Sequence, residues 1–341
     1  MWRSKIETMS REDLEKLQEE KLKRQVQYVY NNSTLHRKKF DDTGIKPSDI
    51  KSLADIKKIP PITREDMRTE VTNEDVFGGR LCIPKEKLWL IAHPPETMVQ
   101  PPLILTGMTH NDRQTIVEQL IRHLVMSGML RGDIVEVQAS MWEVIFRVLE
   151  SGWHAQSTVQ NQFPFIAIPL ECTLSILDIP RMNHLARLFK PRVIITTVDT
   201  AKLMAKEIKK EGKTPKEAFN PQIVIHRTRP DSPVLKSKIR EDFKETWGGT
   251  HLSMLDIQDN HFYAMDCEKC NGLHVWEDHF IVETMDPKTG KIDSDGIGNL
   301  VITNLSEEAT PILRYVSKNK GKLAREPCDC GRTHTRILLE P

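Results

Sequence analysis

The chain contains no long apolar run. Its most apolar stretch, Phe163 to Ile179, is interrupted by Pro169 and Glu171 and is too short to span a bilayer. An excess of charge of one sign is missing as well: 49 Lys and Arg stand against 48 Asp and Glu, a formal net charge of +1 with 28% of residues charged. Such a surface sets up no long-range field for a polyanion, and no stripe of basic residues interleaved with aromatics is present. No nucleic-acid partner and no membrane partner are therefore expected. The opening residues, Met-Trp-Arg-Ser-Lys-Ile-Glu, lack the basic-then-apolar order of a signal peptide. Internal repeats and low-complexity linkers are absent too. At 341 residues the chain has room for two domains, or for one large domain with a subdomain.

Cysteine is scarce but clustered. Of six cysteines, four fall in two close pairs near the C-terminal end, in D-C-E-K-C-N-G-L-H-V-W-E-D and E-P-C-D-C-G-R-T-H. This usage fits a reducing cytoplasm better than an oxidising compartment. Thiols and an imidazole in paired clusters are the donor set of a closed tetrahedral zinc site. Five donors compete for four places: Cys267, Cys270, His274, Cys328 and Cys330. Spacing alone leaves open a Cys267/Cys270 knuckle facing Cys328/Cys330, or a set that takes His274 in place of Cys270. Cys82 and Cys172 stand apart and read as small buried hydrophobes.

Periodicity organises the rest. Leu14, Leu17, Leu22, Val26 and Val29 recur at helical spacing and predict a helix over 10–40, with Ser10 and Asp13 as a capping pair and the intervening Lys and Arg on a solvated face. Ser52-x-x-Asp55 and Pro60-Pro61-Ile62-Thr63-x-x-Asp66 open two short capped helices. From about residue 103 the pattern alternates. A helix over 111–130, with Val117, Leu120, Ile121, Leu124 and Val125 on one side, precedes Ile134–Val137, and helices near 180–189 and 200–211 precede Val193–Thr197 and Gln222–Ile225. Strands alternating with helices predict a mainly parallel sheet covered on both faces, hence an α/β fold. After residue 251 the texture becomes β-rich. The predicted organisation is an N-terminal helical segment (1–80), an α/β core (81–250) and a β-rich, zinc-binding subdomain (251–341).

Two stretches carry a resemblance. The run Y-V-Y-N-N-S-T-L-H-R-K-K-F-D-D-T-G-I-K-P-S-D-I-K-S-L-A-D-I-K-K-I-P-P-I-T-R-E-D-M-R, together with C-x6-H-V-W-E-D-H-F and C-x-C-G-R-T-H, resembles the phenylacetate-CoA ligase-like family of AMP-forming acyl-adenylating enzymes over nearly the whole chain. The resemblance implies the large N-terminal domain of such a ligase, and it assigns the metal to Cys267, His274, Cys328 and Cys330, with Cys270 as the spare. Four protein ligands leave the metal no open position, so its implied role is structural. His279 and His334 are expected to pack or hydrogen-bond beside that site, and Trp142 and Trp153 to fall in substrate-pocket segments.

The family's catalytic signatures do not carry over. The glycine-rich phosphate loop corresponds to Ala92-His-Pro-Pro-Glu-Thr-Met-Val-Gln-Pro-Pro102. Its four prolines remove N–H donors, it has no glycine, and Glu96 carries the wrong charge for a triphosphate. The Gly-Gly-Glu-like turn under the adenine falls at His226-Arg227-Thr228. The Tyr-Gly-x-Thr-Glu stretch, whose glutamate helps hold magnesium, falls near Asp256-Ile-Gln-Asp-Asn-His261, which has no glutamate. Tyr-Arg-Thr-x-Asp, whose aspartate takes both ribose hydroxyls, becomes Tyr315-Val316-Ser317-Lys318-Asn319. Family members continue beyond the position of Pro341 into a small mobile domain with the catalytic lysine. Losing four charge-assisted contacts removes roughly 6–12 kcal/mol, against about 8 kcal/mol for micromolar nucleotide binding. The reading is a non-adenylating, pseudoenzyme-like homologue, with no catalytic and no cofactor-binding residues beyond the structural zinc ligands. It is expected to act as a subunit or binding module, in a homo- or hetero-oligomer, within an aromatic- or acyl-CoA-linked assembly, with an acyl or aryl ligand. The alternative is an active ligase completed in trans by a separate C-terminal domain.

Overall fold

The structure, a computed structural model, describes residues 1–92, 102–139, 165–171, 178–228, 235, 237–293 and 296–339. Trp142, Trp153, Cys172, Pro341 and all of the proline-rich 92–102 stretch except its two end residues lie outside the described residues.

The N-terminal segment is built from local caps. After a single turn, α1 (Ser4–Glu7), comes α2 (Arg11–Asn32), which begins where the Ser10 side chain accepts from the Asp13 N–H. The single helix predicted over 10–40 is in fact two. At Ser33 the backbone turns extended, and the Ser33 hydroxyl accepts from His36 N–H to start α3 (Thr34–Thr43). Serine at this position competes for backbone donors and favours a cap over a helix interior. A capping box of Ser52 and Asp55 opens the 3₁₀ turn Leu53–Lys58, and one of Thr63 and Asp66 opens α4 (Arg64–Thr69).

The strands β1 (Leu90–Ala92) and β2 (Thr106–Met108) form a small antiparallel pair. The helix α5 (His110–Met126) follows and stops short of the predicted residue 130, at Ser127 and a left-handed Gly128. It is buried on more than one side. Ile116, Leu120 and Leu124 pack on the sheet, while Val117 and Ile121 meet Trp2.

The parallel part comprises β3 (Ile134–Ala139), β4 (Ile166–Glu171), α6 (Asp178–Phe189), β5 (Val193–Thr197), α7 (Val198–Lys209), the short α8 (Pro215–Ala218), β6 (Ile223–Thr228), α9 (Ser237–Trp247) and β7 (Thr250–Ile257). Strands β8 (Phe262–Asp266), β9 (Leu273–Val275), β10 (Phe280–Met285), β11 (Ile292–Asp293), β12 (Gly298–Asn304), β13 (Tyr315–Ala324) and β14 (Arg336–Leu339) complete it antiparallel. All twelve from β3 on lie in one sheet, in the order β11-β10-β12-β13-β14-β9-β8-β7-β6-β5-β3-β4. Parallel pairing holds from β4 through β3, β5 and β6 to β7, and β7 turns antiparallel to β8 with Met254 opposite Met265. The parallel strands are covered on both faces, which is why Val193–Thr197 and Ile223–Thr228 are buried at every position. One face packs Val135, Val137 and Ile195 under α5, and the other packs Ile194 and Val224 against α6, α7 and α9.

Glu136 breaks that apolar pattern. It is wholly buried on β3, takes a hydrogen bond from Gln138 Nε2, and burial raises its carboxyl to about 7. A carboxyl raised in the folded state favours folding while protonated, so this contribution is lost as pH rises from the ordinary carboxyl range through about 7. Glu136→Gln is expected to leave the melting temperature unchanged near pH 4.5 and to raise stability by roughly 3 kcal/mol above pH 8, read from paired thermal melts across pH.

Candidate metal centre and ligand cleft

The first site forms where β8 and β9 meet the turn before β14. Cys267 leaves the end of β8, His274 stands on β9 opposite Met265 and Arg336, and Cys328 and Cys330 sit on a turn closed by Cys328 N–H to Arg332 O. Their donor atoms, three sulfurs and a ring nitrogen, all lie within 4.8 Å of one another. Cys267 Sγ is 3.7 Å from Cys328 Sγ, and Cys330 Sγ is 3.6 Å from His274 Nε2. A tetrahedral site with metal–sulfur bonds of about 2.3 Å has ligand–ligand edges of about 3.8 Å, so the donor set fits a zinc ion. Cys270 stands outside this group: its backbone is left-handed and its sulfur turns to His251 O at 3.8 Å. Contact with Cys330 and burial push the Cys267 thiol up, while contact with Cys267, then His274 and Arg332, holds Cys330 far below the ordinary thiol range. The pair thus shares a proton and supplies thiolate character.

The same two motifs also grip α5 and the N-terminal segment. Trp276 Nε1 donates to Gln119 O of α5, and Arg122 lies 4.0 Å over the Trp276 ring while donating twice to Asp278. Burial opposes ionisation of Asp278, and His279 and Arg122 overcome it, holding that carboxyl below its usual range. Glu277 receives both guanidinium nitrogens of Arg11, at 2.9 and 3.0 Å. From the other motif, Arg332 Nε donates to Glu7 Oε2, Thr333 Oγ1 to Met9 O, and His334 Nε2 to Ile6 O. His334 Nδ1 accepts from Glu277 N–H, and His279 is buried against Ser306. Both histidines therefore sit where the sequence predicts. What sequence reading missed is that Trp276 and Asp278 hold α5 through Gln119 and Arg122, and that Glu277 and Arg332 hold Arg11 and Glu7, because these partners lie more than a hundred residues away.

The second site gathers segments that the resemblance matches to nucleotide signatures, with Asp256–Asp259 and Tyr315–Asn319 on its wall and His226–Thr228 behind it. A cleft of about 400 Å³ lies between α4 and β13, lined by residues including Arg64, Arg68, Asp256, Asp259, Tyr315 and Asn319. Tyr315 Oη donates to Asp259 Oδ2 at 2.7 Å. Behind the cleft, Arg227 Nη2 donates to Asp256 Oδ2 at 2.6 Å, and the Arg227 side chain is wholly buried. His226 is stacked on Phe243 and shares a hydrogen bond with His251, whose Nε2 donates to Gly248 O. That carbonyl can only accept, so His251 Nδ1 is the acceptor and His226 Nε2 carries the proton. Burial lowers both rings, His251 to about 4, and they are neutral core residues at pH 7. Cys82 is likewise buried, as its isolated position predicts. Among the described residues no helix is long and apolar enough to cross a membrane.

No protein-family model matches the chain. It is similar to a phenylacetate-coenzyme A ligase of Thermus thermophilus, 29% identical over 339 residues, which cover 99% of this chain and 72% of the relative. A phenylacetate-coenzyme A ligase of Escherichia coli is 26% identical over 322 residues, 93% of this chain and 69% of the relative. Among solved structures, a 2-hydroxyisobutyryl-CoA ligase in its thioesterification state superposes with a TM-score of 0.86 at 20% identity, covering 98% of this chain and 69% of that one. The resemblance read from the sequence stands, and the fold is that of acyl-CoA ligases.

Arg332→Ala strips the wholly buried Glu7 of its nearest cation. This substitution is expected to cost roughly 3–5 kcal/mol in denaturant titrations and to speed proteolysis before Ser10, whereas Lys5→Ala leaves both unchanged.

Proposed function

We infer that this relative of phenylacetate-CoA ligases keeps the ligase scaffold, held by a structural zinc ion, but does not itself adenylate an acid. It serves instead as a subunit or binding module in an aromatic- or acyl-CoA-linked assembly. The observation that carries this reading is the buried Arg227–Asp256 pair. Where the resemblance places a glycine turn beneath an adenine ring, this chain puts a full guanidinium. Its carboxylate partner comes from the segment where the family's magnesium-holding glutamate belongs. An ion pair with 0% and 1% exposed side chains is strongly coupled to its surroundings, and opening it to admit a base would strand one buried charge. Asn319 on the cleft wall keeps one acceptor oxygen but not the two-oxygen carboxylate fork.

Cys267, His274, Cys328 and Cys330 hold the metal in this reading. With four protein ligands it binds no water for chemistry and acts as a cross-link between residue 267 and residue 330. An acyl or aryl ligand and an oligomeric partner belong to the same reading, because a non-adenylating scaffold acts only through what it binds.

Two measurements test these statements. Pyrophosphate exchange with phenylacetate, benzoate and 2-hydroxyisobutyrate is expected to stay at background, and a stable partner to co-purify from native extract; exchange above background defeats the non-adenylating reading. Metal analysis of protein purified without added zinc is expected to find about one zinc per chain, the four-ligand stoichiometry. His274→Ala and Cys328→Ala lose it along with several degrees of melting temperature, and Cys270→Ala keeps it. Loss in Cys270→Ala with retention in His274→Ala assigns the other ligand set.

A further inference from the structure

Asp112, Thr115 and Gln119 fall on one face of α5 by their helical spacing. That face meets His261, in the turn before β8, and Ser306 and Glu307, in the turn after β12. Between them lies a cavity of about 10 Å³, room for one occupant the size of a water molecule. The nearby donors are already committed to two carboxylates. Asp112 takes the N–H groups of Thr109, Glu308 and Ala309, and Glu307 takes Asn304 Nδ2 at 2.9 Å and His261 Nδ1 at 2.8 Å. Gln119 is only 2% exposed, yet its Oε1 has no hydrogen-bond partner. A buried amide oxygen in that state is costly and points to a ligand that the side chains do not supply. Charge points the same way. Asp112 and Glu307 are both buried, and Asp112 makes no ion pair among the described residues. Burial, then the charge of Glu307, raises the Asp112 carboxyl to about 6. Arg80, the buried guanidinium that acts on Glu307 through the core, acts more strongly on Asp259.

We propose that this cavity is a potassium site, in which Gln119 Oε1, Asp112 Oδ1 and the Glu307 carboxylate hold one ion, with the hydroxyls of Thr115 and Ser306 completing an oxygen shell. Asp112 Oδ1 receives only the Glu308 N–H and keeps a lone pair for the ion. A water molecule has too few hydrogens for all of these acceptors. A cation meets every one of them and offsets part of two buried charges. Oxygen donors suit a hard cation. Magnesium keeps several of its own waters, for which the cavity has no room, and calcium asks for a wider shell. Potassium is close to water in size. Bound there, the ion ties α5 to the turns at His261 and Glu307.

The site shares no residue with the cleft at Asp256 and Asn319 or with the cysteine cluster, so it is independent of the non-adenylating and zinc readings. Full-length protein is melted in potassium, sodium, lithium and choline chlorides at one ionic strength, and its crystals are soaked in rubidium chloride for anomalous scattering. The expected result is a melting temperature several degrees higher in potassium than in choline, saturating with concentration and smaller in sodium and lithium. Rubidium is expected between Gln119 and Glu307. Gln119→Leu is expected to melt in choline at or above the parent and to lose the potassium response. Equal melting in all four salts, a potassium response kept in Gln119→Leu, or rubidium bound only elsewhere overturns the proposal and leaves a single ordered water in the cavity. The rubidium position in the parent chain decides the matter even if Gln119→Leu does not fold.

Discussion

The connection on which the rest of this structure depends is the junction between the turn at Cys328–His334 and the segment Cys267–Asp278. Four donors draw these two stretches together at one end. At the other, Trp276, Glu277, Asp278, Arg332 and His334 hold α2, α5 and the first residues of the chain. Sequence separations of 156 to 325 residues are bridged there by charged hydrogen bonds with little solvent around them. In so dry a setting each ion pair is favourable only with its partner in place. The proposed metal cross-link would fix the turn and, with it, the geometry on which those pairs rely.

The proposed absence of adenylation concerns another part of the sheet, the end of β6. The same fold in an adenylating enzyme needs open space and backbone donors for a nucleotide. Here β6 ends in three buried side chains: His226 in a stack of rings, Arg227 on Asp256, and Thr228. Where the resemblance places a ligand-facing surface, these side chains are buried in internal packing.

Much of the fold was legible because local rules and global packing agree. The serine and threonine caps at Ser10, Ser52 and Thr63 begin helices as their spacing requires, and the alternation of apolar runs with helices located β3, β5 and β6, while the parallel edge strand β4 was not foreseen. The break at Ser33 was hidden by continuing apolar periodicity, although Asn-Ser-Thr carried the signal of a cap. The predicted extension of α5 to residue 130 failed for a similar reason, with Gly128 ending the helix inside a hydrophobic stretch. Among the five candidate metal donors, spacing could not choose. The resemblance chose Cys267, His274, Cys328 and Cys330, and the fold groups these four donors while Cys270 turns away on a left-handed backbone. The Arg227–Asp256 and Arg332–Glu7 pairs were invisible for a different reason: a charged residue in sequence looks solvated until the fold shows its distant partner.

The central claim is that internal side chains have taken the place of the nucleotide. Isothermal titration of the metal-loaded chain with ATP and magnesium tests it most directly. The account predicts no saturable heat up to about millimolar ATP, a binding free energy weaker than roughly 4 kcal/mol. Saturable binding at low micromolar ATP contradicts it.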